Sequence, residues 1–532
     1  MVRASNYASS YAENKRIDQV AQIRSAQAGA DALVNTSCPA YNRMRQRWDE
    51  GIDDFLDGDD AIQARSSVHL PQYPAETKTN YERRISGTVL LPGFKDAVDR
   101  IAVRPFAKPI KVTKPVDEDG VTIDLPHPLS EIERDVDGKG SDLTALGRSL
   151  FADGTARGPC FLWIDAPSVM EGTTSEDVDR LRLWPRIKRI PPRNVFAWVE
   201  GENEAGDPVV TAVRFVEMRQ VKAGRFGVME VPIIRELYAP EDGMPGGWIV
   251  YTWNAEAEAF TEESSGEHDF DELPFLYAQF GEANGLVECR PPLYQVFRMN
   301  LAHLRSQSRQ TQYVESVRIA TRFLSGVTQE EIEAGIEIGP FTVKGSTREN
   351  ARLTFAEHSG AAAQTGWDDL DRWQLAMAQA GTEPLRTKTG NPTATGKAID
   401  TAKSSCDVES WVRVLESLLE RAYRMAARWL ELDIPEGFGI DIWSEFSLGL
   451  RADTDLQHLL AMAERGHLSP VTLIQEAQRR DLISDRVDAH EEMERVAAHA
   501  RQQAIEFGAG VFDGIDDDPS GDPEAKDPAA AA

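Results

Sequence analysis

The chain has 532 residues, 41% of them hydrophobic, and carries 87 acidic against 58 basic side chains for a net charge of −29. That length allows about three to four domains and a sizeable core, and the charge argues against a protein that grips nucleic acid by neutralising phosphates. Cys38, Cys160, Cys289 and Cys406 form no CxxC pair, so neither a disulfide framework nor a zinc site is expected and reduced thiols are the default.

Residues 1–66 are polar, and one helix is predicted over Tyr41–Leu56 from Tyr41, Met44, Trp48 and Phe55, between Cys38-Pro39 and Gly58. Prolines make His69–Pro74 extended, and helices follow over Glu76–Ser86 and Gly93–Ala102. Residues 106–140 read as loop with a short strand at Ile110–Thr113. Asp142–Asp153 is predicted as an amphipathic helix with Leu143, Leu146, Leu150 and Phe151 inward. Strands are predicted at Gly158–Asp165, Val195–Val199, Val209–Val216, Val231–Tyr238, Trp248–Trp253 and Pro274–Phe280. These segments alternate or run apolar as antiparallel strands do, so residues 142–285 form an α+β domain.

From Leu293 to Arg318 there is no Gly or Pro, and Leu293, Phe297, Leu301 and Leu304 make one apolar stripe. The second half turns polar, and Arg298, Arg305, Arg309 and Arg318 face only Glu315 in opposition. Such a helix either leaves the core or packs on neighbours through polar contacts. Residues 319–358 read as a small α/β insert, with strands at Thr321–Leu324 and Gly339–Lys344 and a helical Gln329–Ala334; a second helix covers Ala361–Ala380. Gly381–Gly396 is a Gly, Pro and Thr-rich loop, and Lys397–Leu432 runs without Gly or Pro, far beyond the usual helix of about 11–12 residues. A strand-like Ile440–Trp443 precedes helices near Asp455–Arg465, Pro470–Arg480 and Asp488–Ala504, and the tail from Asp513 is expected to be disordered.

Chemical motifs fare poorly. Gly390–Ala398 resembles a phosphate-binding loop, but it has five residues between its glycines and Ala398 where a magnesium-binding hydroxyl belongs. His490-Glu491 begins a zinc-protease pattern whose second histidine is missing; His499 is too far along the helix to share a metal. The carboxylates Asp53-Asp54, Asp59-Asp60, Asp117-Glu118-Asp119 and Asp369-Asp371 are read as loop-like or exposed, without a nearby His, Lys or Tyr for acid–base work. No catalytic residue, metal site or cofactor is expected. The N-terminus lacks a signal-peptide core, and no stretch approaches about 18 uncharged apolar residues.

Four stretches in fixed order carry a resemblance: Tyr73–Arg84 leading to Gly93–Asp99; Gly158–Pro167 followed by Trp184–Val195; Pro291–His303; and Gly466–Leu473 ahead of Glu491–Arg495. Over about residues 40–500 the chain resembles the portal proteins of tailed bacteriophages and gene transfer agents, the head-to-tail connectors, and within them a subgroup first known as a domain of unknown function. The resemblance implies an α+β portal fold: wing over 1–290, stem helix 291–318, small α/β clip 319–360, second stem helix 361–381, tunnel loop 382–396 and long wing helix 397–432. Residues 433–512 would return to the wing and add crown helices, and 513–532 form an acidic tail. It implies a ring, usually of twelve copies, at one capsid vertex of a virion assembled in the host cytoplasm, with no catalysis. Implied partners are double-stranded DNA in the channel, the terminase motor, the head–tail adaptor and the major capsid or scaffolding protein, with no membrane. Arg386, Lys388, Thr393 and Lys397 would face DNA from the tunnel loop, and Arg298, Arg305 and Arg309 would lie on the stem. An acidic tunnel would let DNA slide, since like charges repel. The alternatives are a scaffold or adaptor that forms no ring, or a nucleotide-dependent packaging enzyme.

Overall fold

In the computed structural model the described residues are 24–33, 37–113, 123–167, 174–203, 205–223, 226–241, 243–268, 270–318, 321–326, 352–356, 361–382, 394–444, 452–479 and 491–499, besides isolated positions. Residues 1–444 and 445–532 form two units. Among the described residues no helix is long and apolar enough to cross a membrane.

The first unit begins with helix α1 (24–33) and α2 (Pro39–Arg47). The latter continues through a π-turn at Trp48–Ile52 into α3 (Asp53–Asp57). Tyr41, Met44, Trp48, Ile52 and Phe55 are buried on one stripe, so the predicted helix is present but interrupted. The interruption centres on Gly51, whose φ of +129° suits glycine, and where a side chain would strike the His69 ring. Short helices α4 (Asp59–Ala64) and α5 (Ser66–His69) follow, then α6 (Lys78–Ser86) and α7 (Gly93–Val103). Thr77 caps α6, its hydroxyl accepting from the Asn80 N–H at 3.3 Å.

Strand β1 (Lys111–Thr113), helix α8 (Leu129–Ile132) and helix α9 (Leu143–Arg157) lead into the sheets. Asp142 caps α9 by accepting from the Ala145 N–H at 2.7 Å. Strand β2 (Pro159–Asp165) precedes α10 (Ser175–Leu181) and β3 (Arg186–Ile190). Then come β4 (Val195–Glu202), β5 (Pro208–Ala223), β6 (Gly227–Tyr238), β7 (Gly247–Asn254), β8 (Ala259–Glu267), β9 (Phe275–Gln279) and the short pair β10 (Glu282–Ala283) and β11 (Cys289–Arg290). One sheet has order β3-β2-β9; the other is a five-stranded meander, β4 to β8. Every pairing is antiparallel. β2 is central and almost wholly buried, which explains its continuous apolar run.

Five described strands lie outside the predicted set: β3, β8, β10, β11 and a strand at Arg352–Ala356. β8 is an edge strand, Ala-Phe-Thr-Glu-Glu-Ser-Ser-Gly-Glu, largely exposed; charge on an edge discourages sheet-to-sheet association and erases the apolar signal. β3 buries Ile187 and Ile190 while its cations are paired, Arg189 with the buried Asp153 and Lys188 with Asp165. β5 and β6 also outrun their predicted ends, pairing from Ala212↔Tyr238 to Ala223↔Gly227.

From β11 the chain enters the 25-residue α11 (Tyr294–Arg318), then β12 (Thr321–Ser325), which pairs with β13 (Arg352–Ala356) before α12 (Ala361–Met377) returns. A π-turn at Ala378–Thr382 follows. The predicted Gly339–Lys344 strand lies outside the described residues. The 36-residue α13 spans Ala394–Trp429, starting inside the stretch predicted as loop and ending three residues before Leu432. It buries Val408, Val412, Leu415, Leu419, Ala422, Tyr423 and Ala426 over β2, β9 and α9. Strand β14 (Gly439–Asp441) pairs with β1, Lys111↔Asp441 to Thr113↔Gly439. The second unit has α14 (Ala452–Glu464), α15 (Pro470–Arg479) and helical residues 491–499. The tail from Asp513 lies outside the described residues.

Candidate functional site

The feature that departs from an ordinary α+β domain is the excursion α11–β12–β13–α12. Its root is apolar. Val296, Phe297, Leu301 and Leu304 are buried, and Phe297 meets Phe55 and Phe94 edge-on at 5.2 and 5.8 Å between ring centres. Asn300, also buried, accepts from the Phe94 N–H at 2.8 Å and donates to the Leu91 carbonyl at 2.9 Å. Helix α7 has Pro92 at its cap position, which offers no side-chain bond; Asn300 supplies the missing acceptor from another helix.

Farther out, the polar half of α11 packs on α12 through hydrogen bonds. Ser306 donates to Asp369 at 2.7 Å and Gln310 to the Ala363 carbonyl at 2.7 Å, and Gln374 lies 3.4 Å from His303 Nε2. Gly366 brings the backbones together where any side chain would collide with Gln310. Of the two fates open to such a helix, polar packing on a neighbour is the one found. His303 is buried, which pushes its pKa below the ordinary 6.5, against the pull of Asp369.

A buried ion pair braces the outer side of the root. Arg84 grips both oxygens of Glu76 at 2.8 and 2.9 Å, with side chains only 2% and 4% exposed. Its remaining donors reach Ser308 and the Pro71 carbonyl, and its guanidinium lies 4.4 Å from the Tyr73 ring centre. The hydrogen bond from Arg84 holds the Glu76 carboxyl below its usual range.

The predicted stem arginines are all described. Spacings of seven and four residues place Arg298, Arg305 and Arg309 on one stripe of α11. Arg298 pairs with Glu50 at 2.9 Å; Arg305 donates to the His69 and Val68 carbonyls at 2.9 and 3.5 Å; Arg309 donates to the Tyr73 hydroxyl at 3.3 Å. With Ser306, Asp369 and Trp373 they line a groove of about 380 Å³. Arg305 has its pKa lowered by burial first and then by its two arginine neighbours.

Of the loop residues, Arg386, Lys388 and Thr393 lie outside the described residues. Lys397 stands in the first turn of α13 and not in a loop. Helix formation therefore takes in Ala394–Gly396, because one glycine near a helix start costs only about 1 kcal/mol against the propagating helix.

For Asp53-Asp54 the reading as exposed and without a histidine is corrected by the fold; Asp59, Asp60 and Asp371 are exposed as read, and Asp117–Asp119 lie outside the described residues. Asp54 is buried and meets His69 at 2.7 Å and Arg65 at 2.6 Å. Asp53 bridges Arg157 at 2.7 Å and Arg193, Arg193 also pairs with Asp49 at 2.8 Å, and Arg157 and Arg189 share Asp153 at 2.9 and 2.5 Å. Apart from Arg157–Asp153, four residues apart on α9, these partners are not neighbours in the sequence, so local pattern carries no sign of them. They tie the π-turn at Trp48–Ile52, α3, α9, β3 and the turn at Pro192–Asn194 together, and no Ser, Thr or Cys bonds to His69 among the described residues. Among the described residues no three His, Cys, Asp or Glu side chains are placed to hold a metal.

A family model described as a domain of unknown function, DUF4055, matches residues 292–430, from just before α11 to the end of α13. None of the curated proteins matches. Among solved structures, a chain in the neck of an empty gene transfer agent particle computed with C6 symmetry is 11% identical, with a TM-score of 0.39 over 74% of this chain and 90% of that one. A chain in the virion of a native gene transfer agent particle is 9% identical, with a TM-score of 0.37 over 73% and 88%.

Proposed function

We propose that the protein is a portal protein: a ring of about twelve copies at one capsid vertex, through which double-stranded DNA enters and leaves the particle. The observation that carries the reading is the excursion itself. An α+β domain sends out a 25-residue helix, turns through an antiparallel strand pair, returns on a second helix and then covers itself with a 36-residue helix. This order of parts matches the resemblance in the sequence, with α11 and α12 as stem, β12 and β13 in the clip, and α13 as the long wing helix.

In this reading the clip meets the terminase motor during packaging and the head–tail adaptor afterwards, and the wing meets the major capsid or scaffolding protein. Residues 383–393, with Arg386, Lys388 and Thr393, join the stem to the long helix next to Lys397 and come closest to DNA. The role is mechanical and not catalytic. The net charge of −29 favours passage of phosphates over their capture.

The decisive experiment is a mass measurement and electron microscopy of the purified chain. The expected outcome is a ring near twelve times 59.0 kDa. Monomers at micromolar concentration under every salt condition would remove the ring; specific ATP binding abolished by Lys397→Ala would replace the conduit with an enzyme. Removing Lys388–Thr393 is expected to leave rings intact and to lower the yield of filled particles. Normal packaging by that deletion would take the loop out of the DNA path.

A further inference from the structure

The helical pair α11–α12 has two unlike sides. One carries the row Arg298, Arg305 and Arg309. On α12, buried Leu370 faces α11; at about 100° per residue, Asp369 and Trp373 fall on the flank beside the arginines, and Trp367, Asp371 and Leu375 fall on the other. Trp367 and Leu375 are 49% and 57% exposed, and Asp368 and Asp371 beside them are exposed as well. Asp368 accepts from Gln364 at 2.9 Å, and neither aspartate pairs with a cation among the described residues. Across the pair, Arg305 and Arg309 meet only neutral oxygens among the described residues.

We infer that, in the ring proposed above, the arginine row of one copy docks on the Trp367–Asp368–Asp371–Leu375 flank of the next. The inference rests on the ring reading and supplies its contact. Charge complementarity selects a second copy as the occupant. Pairing like sides would set arginine against arginine, so the contact is heterologous, and heterologous contacts repeat until rotation closes them. Docking buries two large apolar side chains and brings guanidinium groups against an exposed indole, a favourable stack. DNA phosphate is the poorer occupant of the arginine row, because Glu50 and Asp369 stand in the same place.

The test uses the full chain and its particle mass in solution at fixed salt. Arg305→Glu with Arg309→Glu breaks one side; Asp368→Arg with Asp371→Arg breaks the other. Each is expected to lower the ring fraction at least about tenfold, since juxtaposed like charges are strongly unfavourable. An equimolar mixture of the two variants is expected to recover rings of alternating copies, because the row of each then meets a flank of opposite charge. All four changes in one chain are expected to restore rings. If the arginine variant fails to fold through loss of the His69 and Val68 carbonyl bonds, Arg309→Glu alone takes its place. Rings at normal yield from either variant alone, or a mixture that recovers none, would overturn the contact and leave the ring reading standing. A wild-type chain that never leaves the monomer would overturn both. Arginine variants with unchanged rings but poorer DNA retention would assign the row to DNA.

Discussion

Asn300 shows how a single side chain can join two helices that the sequence keeps about two hundred positions apart. Asn300→Ala leaves the buried Phe94 N–H without a partner, while the Leu91 carbonyl keeps its bond from the Gly93 N–H at 2.8 Å. The expected loss is about 2 kcal/mol of unfolding free energy, read from denaturant midpoints; a loss below a few tenths would mean that water takes over the site. His69 and His303 give a second test. Burial lowers both imidazole pKa values below 6.5, opposed by Asp54 and Asp369. The unfolded chain therefore binds protons at these rings more readily than the folded chain. Their support for the fold is full above about pH 6.5 and drains away as pH falls through the window beneath it. Melting temperatures at about pH 7.5 and about pH 5.5 are expected to differ less for His303→Gln than for the unaltered chain. An identical difference would show that His303 stays neutral in both states or charged in both.

At the scale of elements, the turn that aims α11 is the vulnerable point. Gly281 lies between β9 and β10, and a methyl group there would collide with the Arg290 carbonyl, a backbone atom that cannot swing aside. Gly281→Ala is expected to cost about 1–3 kcal/mol, with the loss reported by proteolysis near residues 281–292 before the sheets open. Uniform unfolding of the whole unit would place the effect elsewhere. Most elements were legible in the sequence because their periodicity is strong: α9, β2, α11 and α13 all bury clear stripes. β8 was hidden by its charges and β3 by its arginines and lysine. The distal halves of β5 and β6 were hidden because a polar ribbon looks like loop until its partner is known. At the candidate site, the row of Arg298, Arg305 and Arg309 could be read from spacing. The bonds holding it, from Glu50, His69 and Tyr73, required the fold, as did the Asp54–His69 pair.

At the scale of the molecule, one small strand pair has a consequence for how the chain is made. β1 waits for β14, whose sequence lies more than three hundred residues downstream, and α13, which covers β2 and β9, is also made late. At a synthesis rate of about 5–20 residues per second, β1 waits roughly 15 to 65 seconds for β14, and for part of that time the central sheet has one face uncovered on the ribosome. A nascent chain halted near residue 390 is therefore expected to be protease-sensitive and to recruit chaperones, and one halted near residue 490 to be resistant. Equal resistance in both would mean that the sheet matures without its lid. The gap also sets an order of events: because β14 closes β1, the pair cannot form before the excursion between them has been synthesised.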